Sequence, residues 1–187
     1  MSLRRMLVVG WLVMLIVAVS AYAQEPQPWT TVGSAGTVDQ SSLLFISYEG
    51  PSAVMLAFQR GGAVIRYNVV SVAGLTRRDF GALGMGVRYR ATPDALIPNR
   101  ADSQVVAKLI EVNLSTGVST TLLTFDSNNF PASNDYQTQG VSTCPSGFTF
   151  DFQTNAYYIE ARLGKSRPIS GSPAVQGIQV RSDGCIQ

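Results

Sequence analysis

Two carboxylates in the last third of the chain, Asp151 and Glu160, have the spacing that best supports acid chemistry. Polar residues alternate with apolar ones around both positions, which predicts two strands with Asp151 and Glu160 on their outward face. A hairpin turning at residues 154–155 would place Asp151 opposite Tyr158 and diagonal to Glu160, roughly 7–8 Å away at the backbone. Two carboxylic acids are sufficient for glycoside hydrolysis, so this pair is a candidate catalytic centre.

The same outward face is also a candidate ligand-binding surface. Tyr158 offers a ring for stacking, and Asp151, Glu160 and Arg162 surround it with hydrogen-bonding groups. A ring with polar neighbours is what sugar recognition requires. The alternative is that polar residues alternate outward on any half-exposed strand and that a loop covers Tyr158. Both interpretations stay open.

An oxygen-rich segment is a candidate calcium site formed by Asp126, Asn128, Asn129 and Asp135. Carboxylate and amide oxygens are the ligands that calcium prefers, although the spacing differs from that of an EF-hand. Clusters of Asp, Asn and Ser also form turns without a metal, and that alternative stays open. The sequence predicts no other metal and no cofactor.

Several catalytic systems are excluded by composition. The chain contains no histidine, so Ser-His-Asp and Cys-His nucleophiles and histidine-based zinc sites are excluded. The only lysines, Lys108 and Lys165, lack the Ser-x-x-Lys spacing of a serine–lysine pair. We therefore predict a protein without enzymatic activity, with a carboxylate-dependent glycan hydrolase as the alternative.

The N-terminal segment has the features of a secretory signal peptide spanning residues 1–23. Arg4 and Arg5 precede an apolar run from residue 6 to residue 19, and residues 21–23 form a small-x-small cleavage site. The run is at the short end of membrane-spanning length, and an uncleaved anchor is the alternative. We predict a secreted, periplasmic or cell-surface protein that has no membrane association after cleavage.

Export affects how the remaining charges and cysteines are interpreted. The formal charge of +2 comes from Arg4 and Arg5, so the exported chain is neutral and lacks the basic runs that bind nucleic acid. The two cysteines, Cys144 and Cys185, form an even pair, which predicts one disulfide in an oxidising compartment.

The residues after the signal segment predict an all-β protein. Residues 24–40 have linker composition and predict a flexible N-terminal arm. Residues 41–187 read as eight or nine short strands separated by Pro, Gly and Asn turns, the pattern of an antiparallel, jelly-roll-like β-sandwich. Inward rows are predicted at alternate positions along residues 63–69, 85–89, 148–152 and 157–163, and residues 113–117 predict a hairpin turn.

Three segments, residues 105–117, 120–125 and 155–163, resemble those of a loose group of exported bacterial β-sandwich proteins. The shared features are an Asn-Leu-x-Thr-Gly turn and a late strand containing Ala-Tyr-Tyr. The resemblance implies the β-sandwich fold and an exported bacterial setting, and it brings no catalytic residues with it.

We therefore predict a secreted binding or structural protein that acts at or outside the cell surface, with a glycan or a surface protein as its partner. A further alternative is an assembly subunit that self-associates by strand addition through exposed strand edges or the arm at residues 24–40.

Overall fold

A computed structural model describes residues 28–75, 82–92, 102–143, 148–167 and 171–183. The predicted signal segment, Cys144 and Cys185 lie outside these residues, so the export signal and the disulfide remain predictions. Within the described ranges, no helix is long and apolar enough to span a membrane.

The described residues form two antiparallel sheets, which confirms the predicted all-β sandwich. Sheet A has the strand order β3-β4-β11-β6-β9, with β1 also paired to β11, and sheet B has the order β2-β5-β10-β7-β8. The described part of the chain holds eleven strands where the sequence predicts eight or nine. The strands are β1 (Trp29–Val32), β2 (Thr37–Val38), β3 (Ile46–Glu49), β4 (Ser52–Met55), β5 (Gly61–Val69), β6 (Ala82–Ala91), β7 (Ser103–Asn113), β8 (Ser119–Asp126), β9 (Ser133–Ser142), β10 (Asn155–Lys165) and β11 (Ala174–Asp183).

The core lies between the sheets and is built from the predicted inward rows. Alternate residues of β5, β6 and β10 are buried, because a two-residue period places them on one face of each strand. Tyr89 of sheet A meets Phe125 of sheet B edge to face, with 5.1 Å between ring centroids. Both of these side chains are fully buried. The outward positions of the same strands are left to form the two outer faces.

The turn between β7 and β8 also forms as predicted. The Oδ1 atom of Asn113 accepts hydrogen bonds from the backbone N–H groups of Ser115 and Thr116 and from the Thr116 hydroxyl. Gly117 adopts a φ of 70°, a left-handed conformation that glycine reaches without a steric penalty.

The predicted hairpin that pairs residues 148–152 with β10 is wrong. β10 already pairs with β5 on one side and β7 on the other, so it has no free edge for a third strand. The Asp151 carboxylate instead accepts hydrogen bonds from the Gln153 and Thr154 N–H groups and from the Thr154 hydroxyl, which holds a turn. Phe150 is buried against Tyr157, with 4.7 Å between ring centroids, so this aromatic segment packs onto the core without forming a strand.

The predicted flexible arm is also wrong over its described part. Trp29 is 6% exposed in β1, which pairs with β11, and β2 pairs with β5. Burying the tryptophan side chain removes a large apolar area from water and stabilises the fold. One buried tryptophan can therefore order a segment whose other residues have the composition of a linker. The described residues of the arm therefore complete this chain's own sheets.

The residues immediately before β3 form a short helix, although the chain from residue 41 onward is predicted as strands separated by turns. Gln40–Phe45 is a 3-10 helix that leads directly into β3.

Candidate ligand-binding cleft

The outer face of sheet B brings together three of the four residues predicted as a ligand face. Tyr158, Glu160 and Arg162 occupy alternate outward positions of β10, the central strand of the sheet. Asp151 is not with them. It lies in the turn before β10, where its N–H donates to the hydroxyl of the inward-facing Tyr157 at 3.0 Å.

An open cleft of about 900 Å³ crosses this face near the end of β10. Its floor comes from β5, β7 and β10, and its walls come from the turn after β8 and from the residues that flank the sheet. The lining residues are Gly61, Asp102, Ser103, Gln104, Val106, Lys108, Asn128, Phe130, Ala132, Glu160, Arg162, Gly164, Lys165 and Ser166.

One wall is fixed by aromatic stacking. The Phe130 ring stacks on that of Phe125 with centroids 5.4 Å apart and planes 14° apart. Because Phe125 is fully buried, Phe130 is anchored to the core while still lining the cleft. The cleft therefore has an apolar wall over a polar floor.

The turn that carries this wall is held by Asp126, a residue of the candidate calcium site. Its carboxylate accepts the Asn128 N–H at 2.9 Å and both hydrogen bonds from the Gln104 amide, at 2.9 and 3.0 Å. Asn129 lies in the same 3-10 turn, and Asp135 lies on β9. Within the described ranges, no three His, Cys, Asp or Glu residues are grouped to hold a metal, and the calcium site remains a prediction.

The far end of the cleft contains a buried acid. Asp102 is 7% exposed and accepts hydrogen bonds from the Ser166 hydroxyl and from Arg167, whose Nε lies 3.2 Å away. Lys165 is 5% exposed, and its ammonium donates to the Leu56 carbonyl at 3.4 Å. Burial lowers the pKa of Lys165, and the negative charge of Asp102 partly opposes that effect.

Glu160 is held by an ion pair across the sheet. Its Oε2 atom accepts hydrogen bonds from Arg66 at 3.2 Å from Nε and 2.8 Å from Nη2, and Arg66 also pairs with Asp39. The hydrogen bond to Glu160 is the main cause of the raised pKa of Arg66.

The proposed catalytic pair does not form. Glu160 faces outward beside Arg66, whereas Asp151 lies by the inward-facing Tyr157. Hydrogen bonds from Thr154 and Gln153 also lower the pKa of Asp151, which favours its charged form over a proton donor. A glycosidase needs its two carboxyl groups on either side of one bond, so the hydrolase hypothesis for this pair is wrong.

Among the three predicted residues on β10, Arg162 has the most exposed side chain. Its side chain is exposed and lies across Gly62 of β5, where a Cβ atom on residue 62 would come within 2.9 Å of the Arg162 Nε. Lys108 on β7 is also exposed. Within the described ranges, the charged groups of Arg162 and Lys108 form neither a hydrogen bond nor an ion pair.

Sequence reasoning missed the part of the cleft that lies outside β10. Gln104 and Lys108 line the cleft from outward positions of β7, and Arg66 binds Glu160 from an outward position of β5, so their alternation was available as a signal. What was lacking was the pairing of those strands with β10. Phe130 and Asn128 were missed as wall residues because only the folded turn brings them over the sheet.

The two packed antiparallel sheets define the fold as a jelly-roll-like β-sandwich. No protein-family model and no curated protein matches the chain. Among solved structures, it is similar to the second N-terminal cellulose-binding domain of β-1,4-glucanase C from Cellulomonas fimi. The two share 16% identity over 87% of this chain and 97% of that one, with a TM-score of 0.53.

Two other solved structures overlap over a similar length. A xylan-binding module, CBM15, shares 8% identity over 87% of this chain and 95% of that one, with a TM-score of 0.40. A structure described as CBM4 shares 12% identity over 82% and 94%, also with a TM-score of 0.40. Of these three, the cellulose-binding domain alone exceeds 0.5, and at that identity it supports the shared fold.

Proposed function

We propose that this protein binds a glycan in the cleft on the outer face of sheet B. The observation that carries the proposal is the cleft itself, which is open, about 900 Å³ in volume, and lined by polar groups beside an aromatic wall. A sugar chain presents hydroxyl groups at its rim and apolar C–H faces, so it is complementary to such a surface.

The contacts available to a sugar come from three strands and one turn. The amides of Gln104 and Asn128 and the guanidinium of Arg162 border the cleft and supply hydrogen-bonding groups. Phe130 offers an aromatic wall inside the cleft, and Tyr158 a half-buried ring beside it on the same face. The shared fold with a cellulose-binding domain is in keeping with this use of the sheet.

Binding without turnover is the form of the proposal that the local contacts favour. The two carboxylates that line the cleft, Asp102 and Glu160, each accept hydrogen bonds from an arginine. Both acids are therefore engaged by side chains of the protein, whereas general acid–base catalysis requires a carboxyl group within hydrogen-bonding reach of the substrate. We propose that recognition takes place outside the cytoplasm, after export through the predicted signal peptide at residues 1–23.

A binding assay with matched tyrosine variants tests the proposal. The purified protein is titrated calorimetrically with soluble oligosaccharides and polysaccharides, and binding is checked by thermal shift. A ligand at 100 times its dissociation constant stabilises the fold by about 2.7 kcal/mol. Tyr158→Ala should weaken binding by about twofold to tenfold through loss of aromatic contact.

The control is Tyr48→Ala, which removes an exposed tyrosine from β3 of sheet A, away from the sheet that carries the cleft, and should leave affinity unchanged. Circular dichroism checks that both variants are folded. The proposal is contradicted if no glycan binds the folded protein, or if both variants lose affinity equally.

A further inference from the structure

We propose that the cleft selects glycans that carry carboxylate groups, such as polyuronates, over neutral glycans of the same linkage. This inference rests on the proposed function and names the class of ligand. The inference depends on how the charged groups of the cleft are paired: the carboxylates form ion pairs with arginines, whereas two cations form none within the described ranges.

The carboxylates that line the cleft are already paired. Asp102 is bound by Arg167 and by the Ser166 hydroxyl, and Glu160 is bound by Arg66 through two nitrogens. Arg167 offsets the charge of Asp102, and Arg66, which also pairs with Asp39, offsets part of the charge of Glu160, so the repulsion of an acidic ligand is reduced.

Two cations of the cleft remain open to a ligand. Arg162 and Lys108 are exposed, and within the described ranges their charged groups form neither a hydrogen bond nor an ion pair. A third acid, Asp126 of β8, lies opposite Val106 and directs its carboxylate to Gln104 and to the Asn128 N–H. Lys108 pairs in register with Glu160, but the Glu160 carboxylate is directed to Arg66, so neither Lys108 nor Arg162 forms an ion pair within the described ranges.

The two cations lie on either side of β10. The Arg162 guanidinium rests over Gly62 of β5, whereas Lys108 lies on β7, the neighbour of β10 on the other side. Gly62 pairs with Gly164 and Lys108 pairs with Glu160, so the two positions are also displaced along the strands. A polyuronate carries a carboxylate on every sugar, so a chain that crosses the floor of the cleft can present different carboxylates to Arg162 and to Lys108.

Gly62 supports the position of Arg162. The guanidinium lies where a side chain at position 62 would stand, so the glycine allows it to rest flat on β5. A planar guanidinium presents a fork of N–H donors that matches the two oxygens of a carboxylate. A neutral hydroxyl group can accept a hydrogen bond from one N–H of the guanidinium, but it does not form an ion pair with it.

Matched ligands test the inference without changing the linkage. The probes are oligogalacturonate and oligomannuronate, each beside its carboxyl-reduced counterpart, in which the acid is converted to a neutral primary alcohol. We expect at least one acid form to bind at least about tenfold more tightly than its reduced form, because charge-assisted hydrogen bonds are among the strongest polar contacts. Raising the salt concentration should narrow this difference.

Three variants and one control locate the charge. Arg162→Gln and Lys108→Gln should each reduce affinity for the acid form by severalfold more than affinity for the reduced form, so that the preference for the acid form narrows. Arg88→Gln, the matched control, removes an exposed arginine from the outer face of sheet A and should leave the preference intact. Gly62→Ala should act like a weaker Arg162→Gln by displacing the guanidinium.

The outcomes separate this inference from the proposed function. If reduced glycans bind in the cleft as tightly as acidic ones, the preference for carboxylates is overturned and glycan binding stands. The preference is also overturned if Arg88→Gln weakens acidic binding as much as Arg162→Gln, or if a sulfated glycan binds more tightly than either uronate. If neither acidic nor neutral glycans bind, both proposals fail.

Discussion

The two outer faces of the sandwich differ in how their arginines are used. On sheet A, Arg88 beside a groove of about 390 Å³ donates to the Gln176 amide oxygen and, at 3.4 Å, to the Thr138 hydroxyl. On sheet B, Arg162 lies in a cleft of about 900 Å³ across Gly62, and its charged group has no polar partner within the described ranges. The same residue type completes the surface of one sheet and remains available to a ligand on the other.

The walls of the two faces differ as well. The sheet B cleft is bounded by the turn that carries Phe130, which is fixed by stacking on Phe125. The sheet A groove has Gly86, Gly140 and Gly177 on neighbouring strands, and a Cβ atom at Gly86 would meet nothing within 4 Å. We infer that a ligand-binding face needs walls and polar side chains that have no partner within the protein, in addition to an open surface.

The largest expected effect is on stability, and it compares a residue on the inner face of β10 with a residue on its outer face. Ile159→Ala should destabilise the protein by about 2–5 kcal/mol, because it leaves a cavity in the fully buried core. Tyr158→Ala, one residue earlier and half-buried on the outer face, should cost clearly less. Urea unfolding measures both variants, and equal losses would contradict the assignment of the two faces.

The next largest expected effect is on glycan affinity. It compares the outer faces of the two sheets by placing a leucine side chain on each of them. Gly164→Leu should reduce glycan affinity by at least about 100-fold, equivalent to about 2.7 kcal/mol, because the new side chain occupies the cleft. A Cβ atom at residue 164 has its nearest contact at 3.9 Å, so the strand accommodates the change.

Gly86→Leu is the matched control on sheet A and should leave affinity unchanged. Calorimetric titration compares both variants. A loss of binding in Gly86→Leu alone would place the ligand on the opposite face from the one we propose.

A third expected effect is the pH dependence of the free energy of unfolding, which tests whether Tyr67 is buried. Burial raises the pKa of Tyr67 far above 10, and its hydroxyl donates to the Gly33 carbonyl at 2.9 Å. The unfolded chain then loses this proton first as pH rises, so the stability that it contributes below pH 10 is progressively lost above that value.

Tyr67→Phe should therefore reduce the loss of unfolding free energy above pH 10 by up to about 1.4 kcal/mol per pH unit. Urea unfolding at several alkaline pH values measures this slope, and an unchanged slope would contradict the burial argument.

The smallest effect concerns the paired acid of the cleft. Glu160→Gln should change stability by no more than about 1 kcal/mol, because its ion pair with Arg66 is partly exposed. Affinity for an acidic glycan should rise slightly, since a negative charge is removed opposite Lys108 while Arg66 keeps its ion pair with Asp39. A large loss of affinity would show that Glu160 itself contacts the ligand.

The strand pattern of the chain could be predicted wherever alternation is regular. The inward rows of β5 and β10 and the turn at Asn113–Gly117 follow from local periodicity and turn chemistry. The segment 148–152 alternates in the same way but forms no strand, because β10 has no free edge to pair with it. Strand neighbours depend on tertiary pairing, which a local pattern does not encode.

The candidate site was predictable to the same extent. Tyr158, Glu160 and Arg162 were placed on one face because they belong to one strand. Asp151 was misplaced because its position depended on the hairpin that does not form. Lys108 and Arg66 became visible only when the pairing of β7 and β5 with β10 was known.

A nuclear magnetic resonance titration of the ¹⁵N-labelled protein with an acidic oligosaccharide tests the central claim most directly. We predict that the perturbed amides cluster around Gln104, Lys108, Arg162 and Gly164 on sheet B, while those of Gly86 and Gly177 on sheet A stay unchanged. Perturbations centred on sheet A, or none at saturating ligand, would contradict the account.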